Sequence, residues 1–280
     1  MLKKPAIPTI KPGRPFSGLS RALLIALVLA LPMAPAAGQA GQAGQDPLPD
    51  TIAAVRPSVV GIGTHQENRS PAVKILGTGF AIGDGRHIIT NMHVVPRDYN
   101  MEKGERLVVL PTGERMREIL GATTVYEEDR VDLAVLRFEG RPLPALELGN
   151  SGAVREGERL AFTGFPIGMA LGLYPTTHGA LVAGVIPTSS PAPTSRTLDP
   201  RMVRQLRDTP DMVFQLDATA YPGNSGSPLY RPDTGQVVGV INRVFVGETR
   251  ENLLTNPTGI SYAIPMDLIR KRLDDQGIRY

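Results

Sequence analysis

Short runs of apolar and β-branched residues recur along most of the chain, at 58–64, 72–82, 87–90, 106–110, 131–138, 159–164, 179–186, 212–216, 237–245 and 259–263. Turn-forming residues stand between many of them, notably Asp84-Gly85, Pro111-Thr112-Gly113 and Pro232-Asp233-Thr234-Gly235. Many short strands, Gly/Pro turns and little helical periodicity predict an all-β protein, a barrel or a sandwich. Helical spacing is best at 265–273, where Met266, Ile269 and Leu273 share one face ahead of Asp274 and Asp275. A polar stretch at 187–211, rich in Ser, Thr and Pro, reads as a long insertion with a short helix at 200–206.

The first fifty residues follow another pattern. Lys3, Lys4, Lys11, Arg14 and Arg21 precede an apolar run at 22–31, then Pro32 and the small residues 34–37. A basic start, an apolar stretch and an A-x-A site make 1–36 a secretory signal peptide. Ten residues of helix rise only about 15 Å against a hydrocarbon core of about 30 Å, so no stable membrane span is expected after cleavage. Repeated Gly-Gln-Ala at 38–45 offers no large side chain to bury, so 37–50 reads as a flexible linker and 51–280 as the folded domain. The protein is expected to be exported, to the periplasm or the medium.

Composition sharpens this picture. With 41% hydrophobic residues in 280, the chain fills a core and is not disordered. The absence of Cys excludes a disulfide scaffold, a zinc finger and a thiol nucleophile. The formal charge of +3 hints at an anionic partner. Removing the five basic residues of the leader leaves 25 bases against 27 acids, a net of −2, so no nucleic-acid partner is implied. There is no H-E-x-x-H, P-loop or G-x-G-x-x-G pattern, so the sequence names no metal and no cofactor.

Three segments carry candidate chemistry. His93 follows an apolar strand in Thr90-Asn91-Met92-His93, and Asp132 opens the apolar run Leu133-Ala134-Val135-Leu136. An acid there is expensive to bury without a partner, and an imidazole would be one. Ser225 lies in Gly223-Asn224-Ser225-Gly226, where flanking glycines permit a sharp turn and leave backbone N–H groups for an oxyanion. The same tetrapeptide recurs at Gly149-Asn150-Ser151-Gly152 before a charged connection, where Ser151 reads as a turn residue. His65 and His178 read as strand or loop histidines. The order His, Asp, Ser matches the chymotrypsin type and not the α/β hydrolases or subtilisins.

With these blocks in view, and with Gly77-Thr78-Gly79-Phe80, Gly164-Phe165-Pro166 and 259–265, the chain resembles trypsin-like serine proteases of the HtrA branch across about 51–275. The resemblance implies two six-stranded antiparallel barrels with a C-terminal helix. His93 and Asp132 would come from the first barrel and Ser225 from the second. It further implies a serine endopeptidase acting through an acyl-enzyme on protein or peptide substrates, with the N–H groups of Gly223 and Ser225 as oxyanion hole. Thr219, Ala220 and Tyr221 would line the specificity pocket, which lacks an acid for Lys or Arg substrates, so small or medium apolar residues are expected before the scissile bond. Three departures stand out. That branch usually continues into a PDZ domain, and with Tyr280 just after the last helix no PDZ-driven peptide capture is expected of this chain. Ser227 makes the local block similar to glutamyl endopeptidases, which bind substrate glutamate with a His where Asn242 falls, so Asn242 and the adjacent Arg243 are expected among the substrate-binding residues. Asn224 replaces the Asp that pairs with a newly cut N-terminus in the digestive enzymes. The alternative is a non-catalytic binding or chaperone module on the same fold.

Overall fold

The computed structural model describes residues 46–97, 103–115, 117–166, 174–188, 211–242 and 259–280. The expected signal peptide, most of the expected linker, the helix at 200–206 and Arg243 lie outside the described residues.

Strands β1 (Val59–His65), β2 (Val73–Ile82), β3 (His87–Thr90), β4 (Arg106–Leu110), β5 (Leu120–Glu128) and β6 (Leu133–Phe138) close into one barrel in the order β1-β2-β3-β6-β5-β4. A second barrel runs β10-β11-β12-β9-β8-β7, from β7 (Arg159–Gly164), β8 (Thr176–Pro187), β9 (Met212–Asp217), β10 (Pro228–Tyr230), β11 (Val237–Asn242) and β12 (Ile260–Pro265). Neighbouring strands in both barrels are antiparallel. This is the two-barrel architecture with a C-terminal helix, α2, that the resemblance implies; α2 spans Met266–Asp275.

The unbroken apolar runs have a physical reason. Successive side chains of a strand point to opposite faces, and here both faces are buried. Ala81, Ile88, Ala134 and Leu136 fill the first barrel, while Phe162, Leu216, Val238 and Ile241 fill the second. The alternate residues Phe80, Ile82, Ile89, Leu133 and Val135 join one cluster with Phe165, Tyr230, Val237, Val240 and Ile264 of the second barrel. Met266, Ile269 and Leu273 of α2 complete it. Burying each such side chain is worth about 1.5–3 kcal/mol before ordering entropy is charged against it. The segments flanking the seam between the barrels are thereby held.

Three elements differ from the sequence reading. Strand β5 has mostly exposed positions and so shows no apolar run. Strand β10 has three residues and opens on Pro228. Helix α1 (Leu48–Val55) begins inside the stretch expected to be linker, with Pro47 as its N-cap and Pro49 in its first turn. The first turn of a helix tolerates these prolines because its N–H groups have no intrahelical acceptor. Thr51 and Val55 are buried, and Leu48 packs against the shared cluster.

Candidate active site

Strand β3 ends at Thr90, and the chain passes through extended Asn91 into a single 3₁₀ turn, Met92–Val94, which presents His93. Opposite, Asp132 sits one residue before β6 and, among the described residues, is the non-glycine residue with positive φ, 51°. Asp tolerates that left-handed conformation better than most side chains, though it still carries strain. Six hydrogen bonds hold it there, one of them from its own N–H to Asp129 O (3.3 Å). Its carbonyl accepts from Met92 N–H (3.1 Å) and Asn91 Nδ2 (3.1 Å). Its Oδ1 accepts from His93 N–H (2.9 Å), and its Oδ2 meets His93 Nδ1 (2.5 Å) and accepts from Asn242 Nδ2 (2.9 Å). An ionised carboxylate only accepts, so Nδ1 carries the imidazole proton and Nε2 is left as the base.

Ser225 lies on the other barrel, in the connection from β9 to β10. Asn224 N–H donates to Tyr221 O (3.0 Å), with Pro222 second and Gly223 third in the turn at φ 99°. That is a type II turn, whose third position demands positive φ and therefore glycine. Gly226 is fixed by contact as well as by its φ of 87°, since a Cβ there would fall 2.0 Å from Thr78 O and 2.5 Å from Thr90 Oγ1. Asn224 N–H goes to Tyr221 O and Gly226 N–H to Ile241 O (2.9 Å). Among the described residues the alternating amides of Gly223 and Ser225 donate to nothing, which is what an oxyanion site requires.

Gly77 stands between the two halves. A Cβ there would lie 2.6 Å from both Val94 methyls and 3.0 Å from Ser225 O, so the residue after His93 and the carbonyl of Ser225 flank the same glycine. Thr78, next in chain, donates its N–H to Ser225 O (2.9 Å).

The expected pocket residues divide. Tyr221 is exposed and Thr219 half-buried, whereas Ala220 is buried in the core of the second barrel. Ala220 faces its own barrel because alternate residues of this segment turn inward. Asn242 was expected at the substrate; its side chain is buried and spends its amide on Asp132. His178, on β8, stacks on Phe162 (5.0 Å between centroids, 22°) and lies 6.1 Å from the Tyr221 ring. Burial holds its imidazole below the ordinary histidine range. Ser151 makes no part of this site. Its Oγ accepts from Asp267 N–H (2.8 Å) at the start of α2.

The roles of Thr78, Asn91 and Asn242 were missed in the sequence. Thr78 and Asn91 stand in blocks that do carry a signal, Gly-Thr-Gly-Phe and Thr-Asn-Met-His, but the register between barrels is what gives them partners. Among the described residues no group of three or more His, Asp or Glu is placed to hold a metal ion.

The trypsin-like peptidase domain model matches residues 77–240. A probable periplasmic serine endoprotease, DegP-like, from Halomonas elongata is 32% identical over 213 residues, covering 76% of this chain and 36% of its own. Its counterpart from Chlamydia pneumoniae is 30% identical over 219 residues, covering 78% and 38%. The chain therefore spans little more than a third of these relatives. Among solved structures, an HtrA-type protease, a variant of AlgW with a tripeptide, has a TM-score of 0.56 at 20% identity, covering 83% of this chain and 64% of that one. That likeness concerns the fold, and the fold is the barrel pair described above. With the domain model spanning both barrels and most of the chain's described strands, the chain belongs to the family of trypsin-like peptidase domains.

Proposed function

We propose that this chain is a serine endopeptidase that hydrolyses peptide bonds through an acyl-enzyme. The observation that carries the reading is the clamp of Asp132 on both His93 N–H groups, ring and backbone, which presents Nε2 as a base. Ser225 Oγ attacks the scissile carbonyl as His93 Nε2 takes its proton, and the charge on the carbonyl oxygen is received by the N–H groups of Gly223 and Ser225. The proton passes to the leaving amine and the peptide C–N bond breaks. Water, deprotonated by the same Nε2, attacks the acyl carbonyl; the bond from that carbon to Ser225 Oγ breaks, the proton returns to Oγ, and the acid leaves. Asp132 stabilises the imidazolium in both halves.

Two accompanying readings rest on the sequence and the relatives' names. Residues 1–36 act as a signal peptide cleaved after Ala36, and the mature protein works in the periplasm; mass spectrometry of the exported protein's N-terminus checks this. Substrates carry a small or medium apolar residue before the scissile bond, since Thr219-Ala220-Tyr221-Pro222 supplies no acid for a Lys or Arg. A peptide-library digest read by mass spectrometry, with Ser225→Ala as control, tests function and preference together. The parent should cleave and should be labelled at Ser225 by a fluorophosphonate, while Ser225→Ala does neither and melts with the parent. Equal cleavage by Ser225→Ala would refute the assignment, and cleavage mainly after Arg or Lys would refute the preference.

A further inference from the structure

Peptide hydrolysis by this fold needs parts from two separate barrels to be registered to within a fraction of an ångström. His93 and Asp132 belong to the first barrel; Gly223 and Ser225 belong to the second. Besides the hydrogen bond from Asn242 to Asp132, the polar contacts that set this register at the Gly223–Ser225 turn converge on one residue, Thr78 in β2.

Thr78 uses every polar atom it has. Its N–H donates to Ser225 O (2.9 Å). Its Oγ1 donates to Gly223 O (2.7 Å) and accepts from Phe165 N–H (3.0 Å). Its carbonyl accepts from Thr90 Oγ1 (2.7 Å), three residues before His93. The side chain is fully buried, so none of these bonds competes with water. The turn that carries the two unpaired N–H groups is thus pinned at both ends, at Gly223 and at Ser225, by one residue of the opposite barrel. The same residue is tied through Thr90 to the strand that delivers His93. Gly226 and Gly164 make the approach possible, for a Cβ on either would lie within 3.0 Å of a Thr78 oxygen.

We propose that Thr78 is a positioning residue for peptide hydrolysis: its hydroxyl sets the Gly223–Ser225 donors against the barrel that carries His93. The inference rests on the reading of Ser225 as nucleophile. A hydroxyl acting in this way stabilises the transition state and not the bound substrate. Its loss should lower kcat and leave KM alone, because a misplaced donor fails where charge develops.

The test uses the exported protein, a peptide taken from the library digest, and a peptide boronate of the same sequence, whose tetrahedral adduct occupies the oxyanion site. Thr78→Val keeps the β-branched shape and removes the hydroxyl. It should lower kcat about tenfold to a hundredfold with KM within about twofold, and weaken the boronate by the same factor. Thr78→Ser restores the hydroxyl and should stay within about threefold of the parent. Thr90→Val loosens only the carbonyl end, so it serves if Thr78→Val does not fold; a smaller loss confined to kcat is expected. An active parent whose Thr78→Val keeps its kcat overturns this inference alone. So does a Thr78→Ser that falls as far as Thr78→Val, or a Thr90→Val that changes KM only. A parent that neither cleaves nor takes the fluorophosphonate overturns the endopeptidase reading and this inference with it.

Discussion

Asp132 shows how much a single residue can be made to hold. A left-handed φ on a non-glycine residue costs about 1–3 kcal/mol and persists only where its surroundings over-determine it. Here Asn91, Met92, His93 and Asn242 do so together. The Asn242 amide is the one member from the other barrel, and it gives the carboxylate a neutral donor where an acid would be repulsive. Asn242→Asp sets two carboxylates at the 2.9 Å spacing of the present hydrogen bond. Like charges raise the pH at which such a pair takes up a proton. The acid limb of kcat/KM should therefore move to higher pH, with activity lost earlier as pH falls. Asn242→Gln should show no such shift, and an unmoved limb in Asn242→Asp would disprove the coupling. His178 makes a second prediction, of stability. Burial depresses its folded-state value below the unfolded one of about 6.5, so the unfolded chain binds the proton more readily. The penalty is absent above that pH and grows as pH falls through and below it. Denaturation midpoints measured from about pH 8 to pH 5 should fall more for the parent than for His178→Phe. The histidine, aspartate and serine blocks were legible because each chemistry is local in sequence. The partner of Asn242 was not, since a hydrogen bond across two barrels depends on a register that no short motif encodes.

At the scale of elements, one tetrapeptide serves two purposes. Gly149-Asn150-Ser151-Gly152 repeats the residues around Ser225, yet it forms a 3₁₀ turn that closes the N-terminus of α2. Ser151 Oγ accepts from Asp267 N–H, and Asp267 Oδ2 in return accepts from Gly152 N–H (2.7 Å). This reciprocal arrangement does for α2 what its own N-cap, Pro265, cannot do with a side chain. Ser151→Ala should lower stability by about 1 kcal/mol, the usual worth of a capping hydroxyl, and leave turnover unchanged. Thermal melts and assays of Ser151→Ala beside Ser225→Ala separate the twins: one variant loses stability and the other loses activity. The same scale explains which elements could be read in advance. Strands buried on both faces, such as β2, β6 and β11, announce themselves as apolar runs. β5 did not, because Thr123, Thr124 and Val125 face solvent in succession; β10 did not, because its three residues are held by neighbours on both sides.

For the molecule as a whole, the question is whether two barrels behave as two folding units. Each has an interior of its own, built around Ile88 and Leu136 in one and Phe162 and Leu216 in the other. Neither is complete without the shared cluster, where Phe80, Ile89 and Val135 meet Phe165, Tyr230 and Val240 under the buried face of α2. Unfolding one barrel alone would bare the outer face of the other, side chains that are now at 0–1% exposure. At about 25 cal/mol for each Å² of apolar surface, that exposure adds a cost to unfolding one barrel that the conformational freedom of the other barrel does not offset while the other stays folded, and this couples the two. The two barrels should consequently melt in a single transition. Phe80→Ala is the discriminating variant, because Phe80 belongs to the first barrel by sequence and to both by packing. Its truncation should cost about 3–5 kcal/mol. Hydrogen exchange measured on peptides from β6 and from β11 should accelerate by the same factor in the two barrels. If exchange rose in β6 and stayed at the parent rate in β11, the barrels would be independent units and the shared cluster a contact surface only.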